Sequence, residues 1–183
     1  LSAEPAGDPH VERLARLFRE HPAWCQAALL LRDEATSRVL FRHRPGERWR
    51  LVREAGETRL LPGDASDPDL VFRFPPAAIE RLARAEGSIG DFAVGLFGLV
   101  VTDDPDSRVD LRVAAPFSRL ARRGYVRLLV AAGVRVLAFG ARHGVRSLGE
   151  LRRLVERLAA RPPEAWEGAG GGNPDGELRP PAG

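Results

Sequence analysis

Four arginines, Arg119, Arg122, Arg123 and Arg127, recur at spacings of three and four and so form a stripe along one helix, with Leu120, Tyr125 and Leu128 opposite them. Such a stripe does anion chemistry: it contacts lipid headgroups, each basic residue near an anionic membrane contributing about 1 kcal/mol. The plainer alternative is a solvated face whose aliphatic stems cover apolar surface. Nucleic acid is a poor match, because no aromatic residues interleave and no helix-turn-helix, zinc or stacking platform accompanies the stripe. Other reactive groups are sparse. His10, His21, His43 and His143 are scattered, with no two at metal-ligand spacing. Cys25 is the single cysteine, with no base set beside it by spacing, and reads as a small residue at the start of a strand. Asp103, Asp104 and Asp106 have the donors for a cation, but a loop closed by Pro105 accounts for them more simply. There is no GxSxG, HExxH or phosphate-cradling glycine loop. The expectation is a protein without catalytic residues, metal or cofactor.

The stronger signal is apolar and runs from Asp69 to Phe117. DLVFRF (69–74) alternates, placing Leu70, Phe72 and Phe74 on one face of a strand. Pro75-Pro76 opens a helix carrying Ile79 and Leu82, ended by Gly87. Ser88-Ile-Gly-Asp opens a second, 88–102, carrying Phe92, Leu96, Phe97 and Val100. RVDLRV (108–113) alternates again, and Pro116 marks the next helix start. A strand and helices with such large greasy faces can enclose an apolar ligand, at about 0.8 kcal/mol for each buried methylene. Taken singly, each of these residues fits a packed core as well as a cavity wall. Gly90, Gly95 and Gly98 on one helix, each costing about 1 kcal/mol relative to alanine, signal close packing, a ligand against bare backbone, or a helix that opens.

The remaining elements supply the frame. At 183 residues the chain is long enough for one core without disulfides. Asp8 caps a helix begun by Pro9 and carrying Val11, Leu14, Leu17 and Phe18, ending near Glu20 with Pro22 beyond it. Three strand-like runs follow, 26–32, 37–43 and 48–53, joined by the turns 33–36 and 44–47 as an antiparallel meander. Residues 62–68 form a surface crossover. The layout is α+β: a mainly antiparallel five-stranded sheet, made of the meander, the crossover and two further strands, covered by helices on one face. The domain spans 8–160, with added C-terminal helices over 134–160 headed by a Ser147–Glu150 capping box. A Gly/Pro-rich tail, 161–183, has the composition of disorder.

All 28 basic residues are arginine, and the formal net charge of +3 is unevenly spread. Residues 119–161 hold 11 arginines against Glu150 and Glu156, a local +9, while the rest of the chain is at −6. LSAEPAGDPH has neither the basic nor the apolar region of a secretory signal, and the run from Tyr125 to Gly140 is too short and too charged to span a bilayer. A cytoplasmic location is the expectation.

In its order of elements the chain resembles the sterol carrier protein type 2 family of lipid-binding domains, over roughly residues 10–132. The passages that carry the likeness are DPDLVFRFPPAAIERLARAEG (67–87) and RVDLRVAAPFSRL (108–120). Two departures stand out: the apolar helix 88–102 replaces a short link, and 134–160 adds helices. The resemblance implies a tunnel between sheet and helices for a sterol, fatty acid or acyl lipid, walled by Phe72, Phe74, Ile79, Leu82, Val113, Phe117, Leu120 and Tyr125. Phe92, Leu96 and Phe97 of the inserted helix join this wall on the reading of the residues alone. Arg119, Arg122, Arg123 and Arg127 would then meet the anionic membrane. The competing expectation is a non-enzymatic protein-interaction module of the same fold with a filled core.

Overall fold

A computed structural model describes residues 7–147 together with 149, 150, 153 and 156. The 161–183 tail and most of the helix expected at 147–160 lie outside the described residues. At the start of that helix the Ser147 hydroxyl accepts from the Glu150 amide, while the Glu150 carboxylate turns to the Arg146 amide.

The first helix, α1 (Pro9–Glu20), follows the sequence rules closely. The Asp8 carboxylate accepts from the His10 and Val11 amides at 2.8 and 3.3 Å, and Val11, Leu14, Leu17 and Phe18 are its buried face. The next element corrects the sequence reading. Residues 26–32 do not form a strand; Pro22 starts a second helix, α2 (Pro22–Ala28), which buries Ala23 and Ala27 one turn apart. Proline at the first helical position is favourable, and a short apolar run does not by its periodicity distinguish helix from strand.

The meander is present but displaced by one strand. It consists of β1 (Thr36–Phe41), β2 (Arg44–Glu54) and β3 (Glu57–Pro62). Residues 44–47, read as a turn, lie inside β2, where the register against β1 slips between Val39 and Phe41. The unexpected hairpin at Ala55-Gly56 has φ of 50° and 84°, both positive as a two-residue connection of mirror-image type requires. Two strands complete the sheet, β4 (Leu70–Phe74) and β5 (Asp110–Val113), in the order β3-β2-β1-β4-β5. Three pairings are antiparallel and β1–β4 is parallel, so the sheet is mixed.

The two faces of the sheet differ sharply. Trp49, Val39, Phe72 and Leu111 lie in register across one face, and Arg50, Arg38, Val71 and Arg112 across the other. The apolar face receives α1, α3 (Pro76–Ala83) and α4 (Ile89–Val101), and together they form the main core. On the other face Val71, flanked by Arg38 and Arg112, is fully buried, the service long arginine stems perform on apolar surface. Three more helices, α5 (Phe117–Arg122), α6 (Tyr125–Ala131) and α7 (Gly133–Arg142), follow β5, with breaks at Gly124 and Gly133.

The glycines of α4 divide by surroundings. A side-chain carbon at Gly90 would stand 2.5 Å from the Ala132 carbonyl, so this glycine permits the junction of α6 and α7 to lie on α4. At Gly95 and Gly98 nothing stands within 4 Å. Gly95→Ala is therefore expected to raise stability by about 1 kcal/mol through helix propensity, whereas Gly90→Ala should lower it by forcing the helices apart. Thermal unfolding of the two variants checks the contrast, and equal shifts would contradict it.

Candidate functional site

Ten of the eleven apolar residues read as one cavity wall are distributed over three clusters. Phe72, Phe74, Ile79, Leu82 and Phe92 belong to the main core with the apolar face of α1, and Leu96 packs against it half-buried. Phe74, Ile79 and Leu82 are 1, 0 and 2% exposed. Phe72 and Phe74 stack at 5.6 Å, and Phe92 lies against His21 and Trp24 at 5.1 and 5.9 Å. Phe97 belongs to a separate cluster with Ala93, Ala132 and Val136. Val113 and Leu120 form a third with Ala115 and Tyr125, and Phe117 is half-buried outside all three. The residues expected to form one wall are thus packed in separate groups.

The arginine stripe is also divided. Asp69, wholly buried at the start of β4, takes Arg123 Nη1 at 2.7 Å and Arg119 Nε at 3.2 Å on one carboxylate oxygen. Its other oxygen accepts from the Thr36 amide and the Tyr125 hydroxyl, each at 3.3 Å. The Asp69 main chain donates to the Thr36 carbonyl and accepts from the Ala114 and Ala115 amides. Arg119 also pairs with Asp67. Arg119 and Arg123, expected at a membrane, therefore turn inward to compensate a buried carboxylate, since a buried charge is tolerated only when paired and hydrogen-bonded. Arg122 and Arg127 remain exposed. Burial, then the neighbouring Asp69 charge, raises the Tyr125 hydroxyl far above its usual range, so Tyr125 serves as a neutral donor. Nothing in the types and spacing of the sequence singled out Asp69; its only mark was its place in an Asp-Pro-Asp turn before an apolar strand.

The other acids have structural partners. Asp104, in the loop closed by Pro105, accepts from Ser107 Oγ at 2.5 Å and from Arg81, and these bonds with that of the Asp106 amide hold its carboxyl below the usual value. Burial alone would raise Asp64, but hydrogen bonds from Arg48 and Arg38 outweigh it and lower its carboxyl. Among the described residues no cluster of His, Cys, Asp and Glu has the arrangement of a metal site. Cys25 sits in α2 and donates to the Arg19 carbonyl.

What stands out instead is the layer formed by α4, α6 and α7. Helix α4 is apolar on nearly every side, yet buries only Gly90, Phe92, Ala93 and Leu99 of its 13 residues. Ile89, Val94, Leu96, Phe97 and Val100 are half-buried, and Val101 is exposed. Helix α6 buries none of its residues and α7 only Val136. Where α2 meets α4, two ring nitrogens are buried without a partner among the described residues, His21 Nδ1 and Trp24 Nε1. His21 Nε2 lies 2.7 Å from the Ala85 carbonyl and so donates to it, which leaves Nδ1 of the neutral ring as an acceptor. Beside Phe92 there is thus one unused donor and one unused acceptor, a pair sequence reasoning missed because it asked of histidine only metal binding. A cleft of about 230 Å³ beside β1 and β2 is polar, lined by Arg50, Asp64, Asp67 and Arg123 among others, and suits no hydrocarbon.

These features define an α+β domain with a packed sheet–helix core and an incompletely covered apolar helical layer. No protein-family model and no curated protein matches the chain. Among solved structures it is similar to one described as "UbiJ-SCP2 Ubiquinone synthesis protein", with a TM-score of 0.41, 16% identity, and coverage of 70% of this chain and 96% of that one. No helix among the described residues is long and apolar enough to cross a membrane.

Proposed function

We propose that this protein binds a lipid-like ligand, a hydrocarbon or ring system with a single polar end, and holds it along α4 without altering it chemically. The observation that carries this is the half-buried apolar circumference of α4, since a helix apolar on all sides is ordinarily enclosed. Support comes from the unused donor and acceptor at Trp24 Nε1 and His21 Nδ1, which suit the hydroxyl or carboxyl of an amphiphile next to Phe92. A few polar contacts suffice to orient such a ligand while its apolar body supplies the affinity. The sterol, fatty acid or acyl lipid expected from the sequence remains the ligand class, and the site moves from between sheet and helices to the outer helices.

Native mass spectrometry of the purified protein, before and after delipidation, tests this. Recoverable lipid, or uptake of one fatty acid or sterol analogue per chain, is the expected result, and Trp24→Phe should weaken uptake without unfolding the protein. An apo mass that takes up neither would reject the reading. That outcome would favour the second one, a non-enzymatic interaction module, which rests on the dense packing of Phe72, Phe74, Ile79 and Leu82.

A further inference from the structure

Past the Gly124 break the chain changes character. Val130, Val134 and Leu137 are 73, 80 and 65% exposed, three of the five large apolar side chains that stand open among the described residues, the others being Leu29 and Val101. Val134 and Leu137 lie one turn apart on α7, away from the buried Val136, and Val130 precedes the break at Gly133. Exposed aliphatic side chains gathered this way mark a surface that meets something. The charges around them indicate what. From residue 111 to 149 the chain has eight arginines and no acid. Some of these are occupied: Arg119 and Arg123 hold Asp69, and Arg135 pairs with Asp91. Arg122, Arg127, Arg142 and Arg146 are exposed.

We infer that the α6–α7 ridge of Val130, Val134 and Leu137 is the surface on which this protein docks to an anionic lipid bilayer. The aliphatic tips would enter the boundary between headgroups and acyl chains, and Arg127 and Arg142 would meet phosphates beside them. A second copy of the chain fits less well, because the exposed arginines of α6 and α7, Arg127 and Arg142, would face their own counterparts. The inference rests on a lipid ligand for its purpose, since a carrier must load and release at a membrane, but it stands on different residues.

Sedimentation with vesicles of phosphatidylcholine alone, and of phosphatidylcholine mixed with phosphatidylglycerol, tests it on the full chain. Binding is expected to be at least about tenfold tighter to the anionic vesicles and to weaken as salt rises. Val134→Glu with Leu137→Glu should abolish it, and Arg127→Glu with Arg142→Glu should remove the anionic preference. All four side chains are exposed, so circular dichroism should show both variants folded. Unchanged vesicle binding by the Val134→Glu, Leu137→Glu variant would overturn the inference, as would a wild-type protein that sediments with neither vesicle. Were that protein a dimer dissociated by Leu137→Glu, the ridge would be a self-association surface. Were it a monomer with residues 130–142 protected from hydrogen exchange, another part of the chain would cover it. Fatty acid uptake measured on the same variants separates the two proposals: uptake kept while vesicle binding is lost supports both, and vesicle binding without uptake in the wild type leaves only the docking surface.

Discussion

Asp69→Ala is expected to lower the unfolding free energy by about 3–5 kcal/mol, the usual cost of removing one partner from a buried ion pair. In a chain of this size that lowers the melting temperature by about 10 °C. The size of the effect follows from what loses its partner. Arg119 and Arg123, each 17% exposed at the side chain, would keep their charges facing the empty position, and the Thr36 amide and Tyr125 hydroxyl would lose an acceptor. Asp69 stands where β1, β4 and the end of β5 meet α5 and α6, so the loss falls on the joint between sheet and C-terminal helices. Asp69→Asn should cost less, because the amide oxygen still accepts. Asp67→Ala removes only the 70%-exposed partner of Arg119 and should cost under about 1 kcal/mol. Urea unfolding of the three variants gives the ranking, and an Asp69→Ala protein as stable as the Asp67→Ala one would remove Asp69 as the anchor of this joint.

The same cluster shows where sequence reading ran out. Elements with strong local signals are where they were expected: Asp8-Pro9 opens α1, Ser88 and Asp91 form a reciprocal cap on α4, and Pro116 precedes α5. The errors arose where local chemistry was ambiguous. AWCQAALLL is apolar enough for a buried strand, yet a proline at its head and alanines one turn apart suit a helix equally well. The strand β3 was missed because its hairpin turns on Ala55-Gly56. Alanine seldom takes positive φ, so the dipeptide gives no turn signal comparable to Asn-Gly.

The site was harder to read for a different reason. Helical spacing shows which arginines share a face but not whether that face looks outward. Whether Arg119 and Arg123 point to solvent or to the interior depends on Asp69, a residue about fifty positions away in sequence. Apolar spacing likewise shows that Phe72, Phe92 and Val113 face inward without showing that they enter two different clusters. The half-exposed surface of α4 was visible in sequence only as a helix with too few polar residues. What it meets is set by α6 and α7, which cover it in part.

Gly124→Ala is expected to destabilise the protein by roughly 2–5 kcal/mol, from two separate causes. Gly124 has φ of +95°, a conformation that costs an L-residue about 1–2 kcal/mol. A side-chain carbon there would also collide with the Leu30 carbonyl oxygen and lie 3.2 Å from Leu31 Cα. Both neighbours are backbone, so no rotamer change relieves the contact. The segment after α2 must move, at a cost of about 1–3 kcal/mol, and it is tied in place by the hydrogen bond from the Arg32 amide to the Arg123 carbonyl at 3.0 Å. Gly133→Ala separates the two causes, because Gly133 has φ of +74° with nothing within 4 Å. It should carry the conformational cost alone. Because Arg123 also holds Asp69, movement at Gly124 should loosen that ion pair, so Gly124→Ala and Asp69→Ala should be non-additive. A double variant whose loss equals the sum of the single losses would show that the turn and the buried carboxylate act independently.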